Sequence, residues 1–318
     1  MTLVELMVAV AVTGLVMTLS LTIFSGQVKS FKRGQETKES QETNNICLEL
    51  LKRDLAQAGW SVKPEMGFFF KDGGNSTADE IYINDTTLID LNSQNGTRLM
   101  TQADGCGGCA EVTAGSGSDS VTVSRLDINE DPTENPPEDF RAQKTHYVIS
   151  DLTSLVPGVN KIARITTSAA NPLVLDRNLG GSYVAPAVYY FVDTGHILKR
   201  SDRSSGGAQP FAANVVDLQV AYRDMSGNWY GVSGCAGTGV GPGGGNPYCS
   251  MNPFDPYPIN LIRLTLVTRT ADPLGVRNDL KYCRPATENR SAAAIGSEEC
   301  GFVYRSYRVT IRPRNTGN

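Results

Sequence analysis

The chain has 318 residues, enough for one large domain or two ordinary ones with a sizeable core. Its 29 basic and 33 acidic residues nearly cancel, so no basic field gathers nucleic acid and no nucleic-acid partner is expected. Only His146 and His196 are histidines, and neither a G-x-S-x-G elbow nor a paired nucleophile and base stands in the chain, so a non-enzymatic role is expected.

Residues 6–24 form a run of nineteen uncharged positions, about the span of a bilayer core. No Lys or Arg precedes the run, unlike a cleaved secretory signal, and one acid, Glu5, interrupts it near its start. A plain single-span anchor leaves that acid unexplained. From Gln27 to Ala58 there is no proline, Lys, Glu, Gln and Leu are frequent, and Leu48, Leu51, Leu55 and Ala58 recur at helical spacing. The pattern predicts one helix from near residue 2 to near residue 58, about 85 Å long at 1.5 Å per residue. Its first half is apolar all round and must be buried in lipid or protein; its second half has one apolar face to lay on a globular body. Three parts follow: a hydrophobic segment 1–26, an amphipathic continuation 27–59 and a body 60–318.

The run Met1-Thr2-Leu3-Val4-Glu5-Leu6-Met7-Val8-Ala9-Val10 resembles the mature start of type IV pilins and type II secretion pseudopilins. In that family a prepilin peptidase removes a basic leader, the new first residue is methylated, and an inner-membrane platform assembles subunits into a filament. The resemblance puts Met1 at the methylated position and implies that Glu5 pairs with a neighbouring subunit's N-terminus. It further implies that Leu6, Val10, Gly14, Leu21 and Phe24 line the filament core. Family members often carry proline near position 22; here Thr22 stands there, and Gly14 and Gly26 are left to loosen the helix.

Pro64 marks the expected helix end. Beyond it, runs at 80–83, 120–126, 145–150, 161–166, 187–192, 215–222, 260–269 and 303–312 alternate or are β-branched, as strands do. The runs 260–269 and 304–312 put apolar and polar residues on opposite faces, which predicts half-buried antiparallel strands. The order of these C-terminal runs resembles that of the larger minor pilins of the PilW type. Residues 65–140 carry no resemblance.

Seven cysteines are present, and six form sequence-local couples around Gly-rich or polar loops: Cys106 with Cys109, Cys235 with Cys249, and Cys283 with Cys300. Cys47, on the helical stretch, is expected to be a buried free thiol. The Cys106-Gly-Gly-Cys109 spacing also suits a redox dithiol, but no βαβ pattern surrounds it, and Ala110 replaces the His of a haem attachment site. Asp127, Asn129, Asp131 and Glu138 are spaced like the start and end of a calcium loop, with Pro132 where the turn needs Gly. A solvated acidic loop is the simpler reading; calcium is the one cofactor with a candidate site.

Together these readings predict an α+β protein: a long N-terminal α-helix, hydrophobic in its first half, packed on a β-rich, mainly antiparallel globular body with long Gly-rich, disulfide-stapled loops. The expected role is a structural subunit of an extracellular type IV pilus or related filament, either a minor or priming subunit or the bulk one. A type II secretion pseudopilin in the periplasm is the first alternative. An adhesive module displayed through loops 234–252 and 129–140 is the second. Expected partners are other pilin subunits, the prepilin peptidase, the assembly platform and, before assembly, the inner membrane.

Overall fold

The computed structural model describes residues 3–73, 77–86, 106–128, 139–140, 146–153, 156–167, 171–202, 207–224, 227, 229–231, 259–273, 278–288 and 290–313. The chain divides into two compact units, Met1–Asn45 and Ile46–Asn318. Helix α1, Leu3–Gln57, is unbroken for 55 residues, close to the span predicted from the absence of proline. It contributes all of the first unit's described structure and the opening turns of the second.

The helix stops just before Gly59, whose φ of 80° is costly for residues with a Cβ. Asn84 holds this end: its Oδ1 accepts from Gly59 N at 2.8 Å, and its Nδ2 donates to Trp60 O at 3.2 Å. Pro64 does not end the helix but opens a short 3-10 turn, Pro64–Met66, where its missing N–H is no loss.

The strands are β1 Phe68–Lys71, β2 Glu80–Asn84, β3 Ala110–Ala114, β4 Ser118–Val123, β5 Tyr147–Ser150, β6 Ile162–Thr167, β7 Leu173–Leu179, β8 Tyr183–Val192, β9 Ile197–Ser201, β10 Gln209–Ala213, β11 Val215–Asp224, β12 Trp229–Tyr230, β13 Ile259–Arg269 and β14 Tyr304–Ile311. Among the described residues these strands pair with one another only antiparallel, with one isolated parallel bridge between Asn160 and Leu179. The long strand β8 is the hub, because each of its edges serves two partners in turn. One edge meets β3 and then β2; the other meets β5 and then β9.

Through β8 the strands β3, β4, β7, β6 and β5 close into a ring, since β3 and β5 both pair with it. A closed ring has no open edge. Its interior is filled by Val121, Val123, Val148, Ile165, Leu175 and Val184, with Ile128 and Phe140 buried among them from the connecting segments. A second sheet runs β12-β11-β13-β14.

The largest core joins the two sheets through α1. Cys47, Leu51 and Leu55 from the helix, with Ala58 just after it, meet Ile81, Val188 and Tyr190 of the first sheet and Leu218, Leu264 and Ile311 of the second. A polar tie fixes the helix within this core: Asp54 Oδ2 accepts from Tyr190 OH at 2.7 Å, and Arg200 Nη2 lies 3.5 Å away. Arg200 also pairs with Asp202 and donates from Nε to Tyr190 OH at 2.9 Å.

One expectation needs correction. Alternation along 260–269 predicts a half-buried strand, yet Thr265 is 0% exposed, as are Asp217 and Gln219 on the paired strand β11. The polar face lies under residues 279–302, a segment closed by the Cys283–Cys300 disulfide. Asp217 accepts from Thr287 Oγ1 at 2.7 Å and pairs with Arg290 at 3.0 Å. Glu288 takes Arg263 through both oxygens, at 3.1 and 2.6 Å, and accepts from Thr265 Oγ1 at 2.7 Å. Asp217, Thr287, Thr265 and Glu288 are thus partnered, which is what makes their burial tolerable, and Gln219 Nε2 donates to Asp217 Oδ1 at 3.0 Å while its Oε1 has no partner among the described residues.

Candidate functional site: the apolar N-terminal helix

Within α1, Leu3–Val28 is long and apolar enough to cross a membrane, and none of its most apolar window is buried. Leu3 is 76% exposed, Met17 64% and Phe24 65%. Apolar side chains of this size, exposed around the full turn of a helix, require a cover of lipid or protein. Of the expected core-lining positions, Leu6, Val10, Leu21 and Phe24 are exposed. Gly14 is exposed too, and a Cβ built on it would meet nothing within 4 Å. Internal packing therefore does not require a glycine there.

Four of the five hydroxyl side chains within this span bond to the helix's own carbonyls. Thr13 Oγ1 donates to Ala9 O at 2.8 Å, Thr18 Oγ1 to Gly14 O at 2.8 Å, Thr22 Oγ1 to Thr18 O at 2.9 Å and Ser25 Oγ to Thr22 O at 2.9 Å. Each of these four side chains thus turns its hydroxyl back to the helix and its methyl or methylene group outward, and its hydroxyl needs no water. Gly14, Thr18, Thr22 and Gly26 follow at four-residue steps, a strip of small residues along which a second helix can approach closely.

Glu5 sits in the first turn of α1, where a carboxylate is favoured by the unpaired amides and the helix dipole. It is the one charged residue in 3–28. Met1 lies outside the described residues.

Elsewhere the candidate chemistry resolves into structure. Cys106 and Cys109 are disulfide-bonded and buried, at 0% and 1% exposure. Their tight turn is held by Gly108 N donating to Ser61 O at 2.7 Å and by Arg125 Nη2 donating to Cys109 O at 2.7 Å. An external partner has no route to sulfur so placed, which argues for a staple rather than a redox dithiol. Cys235 and Cys249 lie outside the described residues. Cys47 is free and buried, with burial pushing its thiol up to about 11.

Of the calcium candidates only Asp127 is described; Asn129, Asp131 and Glu138 lie outside the described residues. At the far end of that loop Asp139 Oδ2 accepts from Ile128 N at 2.7 Å. Among the described residues no three His, Cys, Asp or Glu gather as a metal site. A polar cleft of about 330 Å³ is lined in part by Lys63, Glu65, Asp151 and Ser182. Lys63 Nζ lies 3.3 Å from Asp151 Oδ2 and 3.6 Å above the Tyr183 ring, an arrangement with no nucleophile and base in sequence.

Three features escape sequence reasoning: the self-satisfied hydroxyls, the closed ring and the buried charges beneath 279–302. The first had a signal, since Thr and Ser in an apolar helix have the preceding carbonyl within reach. The other two depend on contacts distant in sequence.

No family model matches the chain, and no curated protein matches it. Among solved structures it is similar to the type IV-like pilin TTHA1219 from Thermus thermophilus, with a TM-score of 0.35 and 10% identity, over 87% of this chain and 97% of that one. At that identity and superposition the likeness assigns nothing to this chain.

Proposed function

We propose that this chain is a structural, non-enzymatic subunit of a type IV pilus-like filament. One observation carries the reading: the exposed apolar span Leu3–Val28 belongs to the same unbroken helix whose last turns build the core of the body. Such a span is covered by lipid before assembly and by neighbouring helices afterwards. The subunit therefore waits in the inner membrane as a prepilin and passes through a peptidase and an assembly platform into an extracellular filament. The N-terminal run resembling the mature start of pilins ties the helix to this family rather than to a simple anchor. Within the family, the size of the body favours a minor or priming subunit.

Glu5 supplies the test. In the assembled core its carboxylate meets the α-ammonium group of a neighbour, and removing one partner of such a pair costs about 3–5 kcal/mol. Glu5→Ala is expected to leave the chain in the membrane fraction and to reduce surface filaments seen by immunogold electron microscopy at least ~100-fold. Filament yield equal to that of the unsubstituted chain overturns the pairing. Absence of the unsubstituted chain from any surface filament overturns the function.

A further inference from the structure

β14 is the outer strand of the second sheet, and no described strand pairs with its far side. Its backbone orientation follows from one bond: Thr270 N donates to Val303 O at 3.1 Å, one step beyond the ladder's end pair, Arg269 with Tyr304. In an antiparallel ladder the residues that bond inward alternate with those that bond outward. Val303 bonds inward, so Arg305, Tyr307, Val309 and Ile311 do too. Tyr304, Ser306, Arg308 and Thr310 then turn their N–H and C=O groups to the open side, and the last three are exposed.

The charge along this edge has one sign. β14 contains no acidic residue, and Arg305, Arg308 and Arg312 are all exposed. The carboxylate nearest Arg308 is Glu288, at 3.3 Å; it is 2% exposed on its side chain and already bonds Arg263 with both oxygens. A chain with a formal net charge of −4 thus concentrates positive charge beside a row of backbone donors and acceptors that no described strand takes up.

We propose that the outer edge of β14 docks an acidic extended segment of a partner protein as an added strand. Main-chain bonds to Tyr304, Ser306, Arg308 and Thr310 supply the attachment, and the arginines supply the choice of partner. Arg308 and Arg312 fall on one face, so the best-matched strand carries carboxylates four residues apart. A second copy of β14 is a poor occupant, because pairing two such edges brings both arginine sets together. The arginines therefore protect the edge against itself while leaving it open to acid. This inference does not rest on the filament reading, since binding is measured on dispersed chains.

The test uses the full chain in detergent micelles and a fluorescent peptide of about nine residues, enough to span the edge, with two glutamates four residues apart among Thr and Val. Fluorescence anisotropy is expected to show binding that weakens at least ~10-fold when the glutamates become glutamines. N-methylation of alternate peptide amides, which removes the main-chain donors, is expected to weaken it at least ~10-fold as well. Hydrogen exchange should slow at Ser306, Arg308 and Thr310 when peptide is added. Ser306→Pro removes only an outward N–H, so the fold is expected to persist while binding falls. If that variant unfolds, the N-methylated peptide on the unsubstituted chain decides alone. No binding, equal binding of the glutamine or N-methylated peptide, or slowed exchange away from β14 overturns the proposal.

Discussion

Asp79 is a buried carboxyl, 1% exposed, whose two oxygens accept from Gly73 N at 2.9 Å and Val220 N at 2.7 Å. Burial, the largest influence, pushes it up to about 8 against the pull of those two amides. In the unfolded chain its pKa is that of an ordinary Asp, about 3.9. Between these values the folded state holds a proton that the unfolded state has released, so this residue's contribution falls as pH rises from about 4 to about 8. Asp79→Asn keeps an acceptor for one amide and loses the other, a cost of about 1 kcal/mol at pH 5. The variant's deficit is expected to shrink, or reverse, by pH 9 in urea unfolding; parallel pH profiles for the two proteins contradict the assignment. Cys47 gives a second residue-scale test. With its thiol held at about 11 and 1% exposed, it should resist alkylation at neutral pH in the native chain and react once the chain is unfolded by denaturant. Rapid native labelling contradicts its burial.

The junction of α1 with the body is an element-scale device, because Asp54 reaches from the helix to Tyr190 on β8 and Arg200 on β9. Asp54→Ala leaves the Tyr190 hydroxyl without that acceptor and is expected to lower stability by about 2–3 kcal/mol. Tyr190→Phe should cost about 1 kcal/mol, and the double variant less than the sum, since both act on one bond. Additive losses in denaturant unfolding contradict a shared tie. The elements that the sequence announces are those whose pattern is local: α1 by its lack of proline, β13 and β14 by their alternation. Strand β1, with the sequence Phe-Phe-Phe-Lys, is too short to show a period, and β10 begins Gln-Pro, a poor strand opening. Closure of the ring is a matter of which edges of β8 are taken, and nothing in a strand's own residues records its neighbours. The polar face of β13 misleads for a related reason, with Thr265 at 0% exposure. Alternation marks a face as polar, but only the distant arginines at 284 and 290 determine whether that face meets water or a covering segment. Glu5, by contrast, was legible as a lone acid in an uncharged run, because the cost of that placement is a property of the local sequence.

At the scale of the whole molecule, apolar surface is divided unevenly between the two units. The body's large core takes its helical contribution from Cys47, Leu51 and Leu55, all later than residue 46. The span Leu3–Val28 adds no buried window. Hydrophobic stabilisation is roughly 25 cal/mol per Å² of apolar area removed from water, so a segment that buries none in the isolated chain adds little to the body's stability and much to its insolubility. Removing residues 1–26 is therefore expected to yield a soluble monomer. That monomer should unfold in urea with the midpoint of the full chain in micelles, within about 0.5 kcal/mol, and keep the Cys106–Cys109 and Cys283–Cys300 disulfides in non-reducing peptide maps. The remaining helix from residue 27 should fray over its first turns and hold from Cys47 to Gln57, because Cys47, Leu51 and Leu55 lie in the body's core. Hydrogen exchange along α1 reads this directly, with protection beginning near Cys47. A truncated chain that unfolds assigns the span a role in the fold itself, and one that still forms filaments removes the helix from assembly; either result overturns the division of labour between the two units.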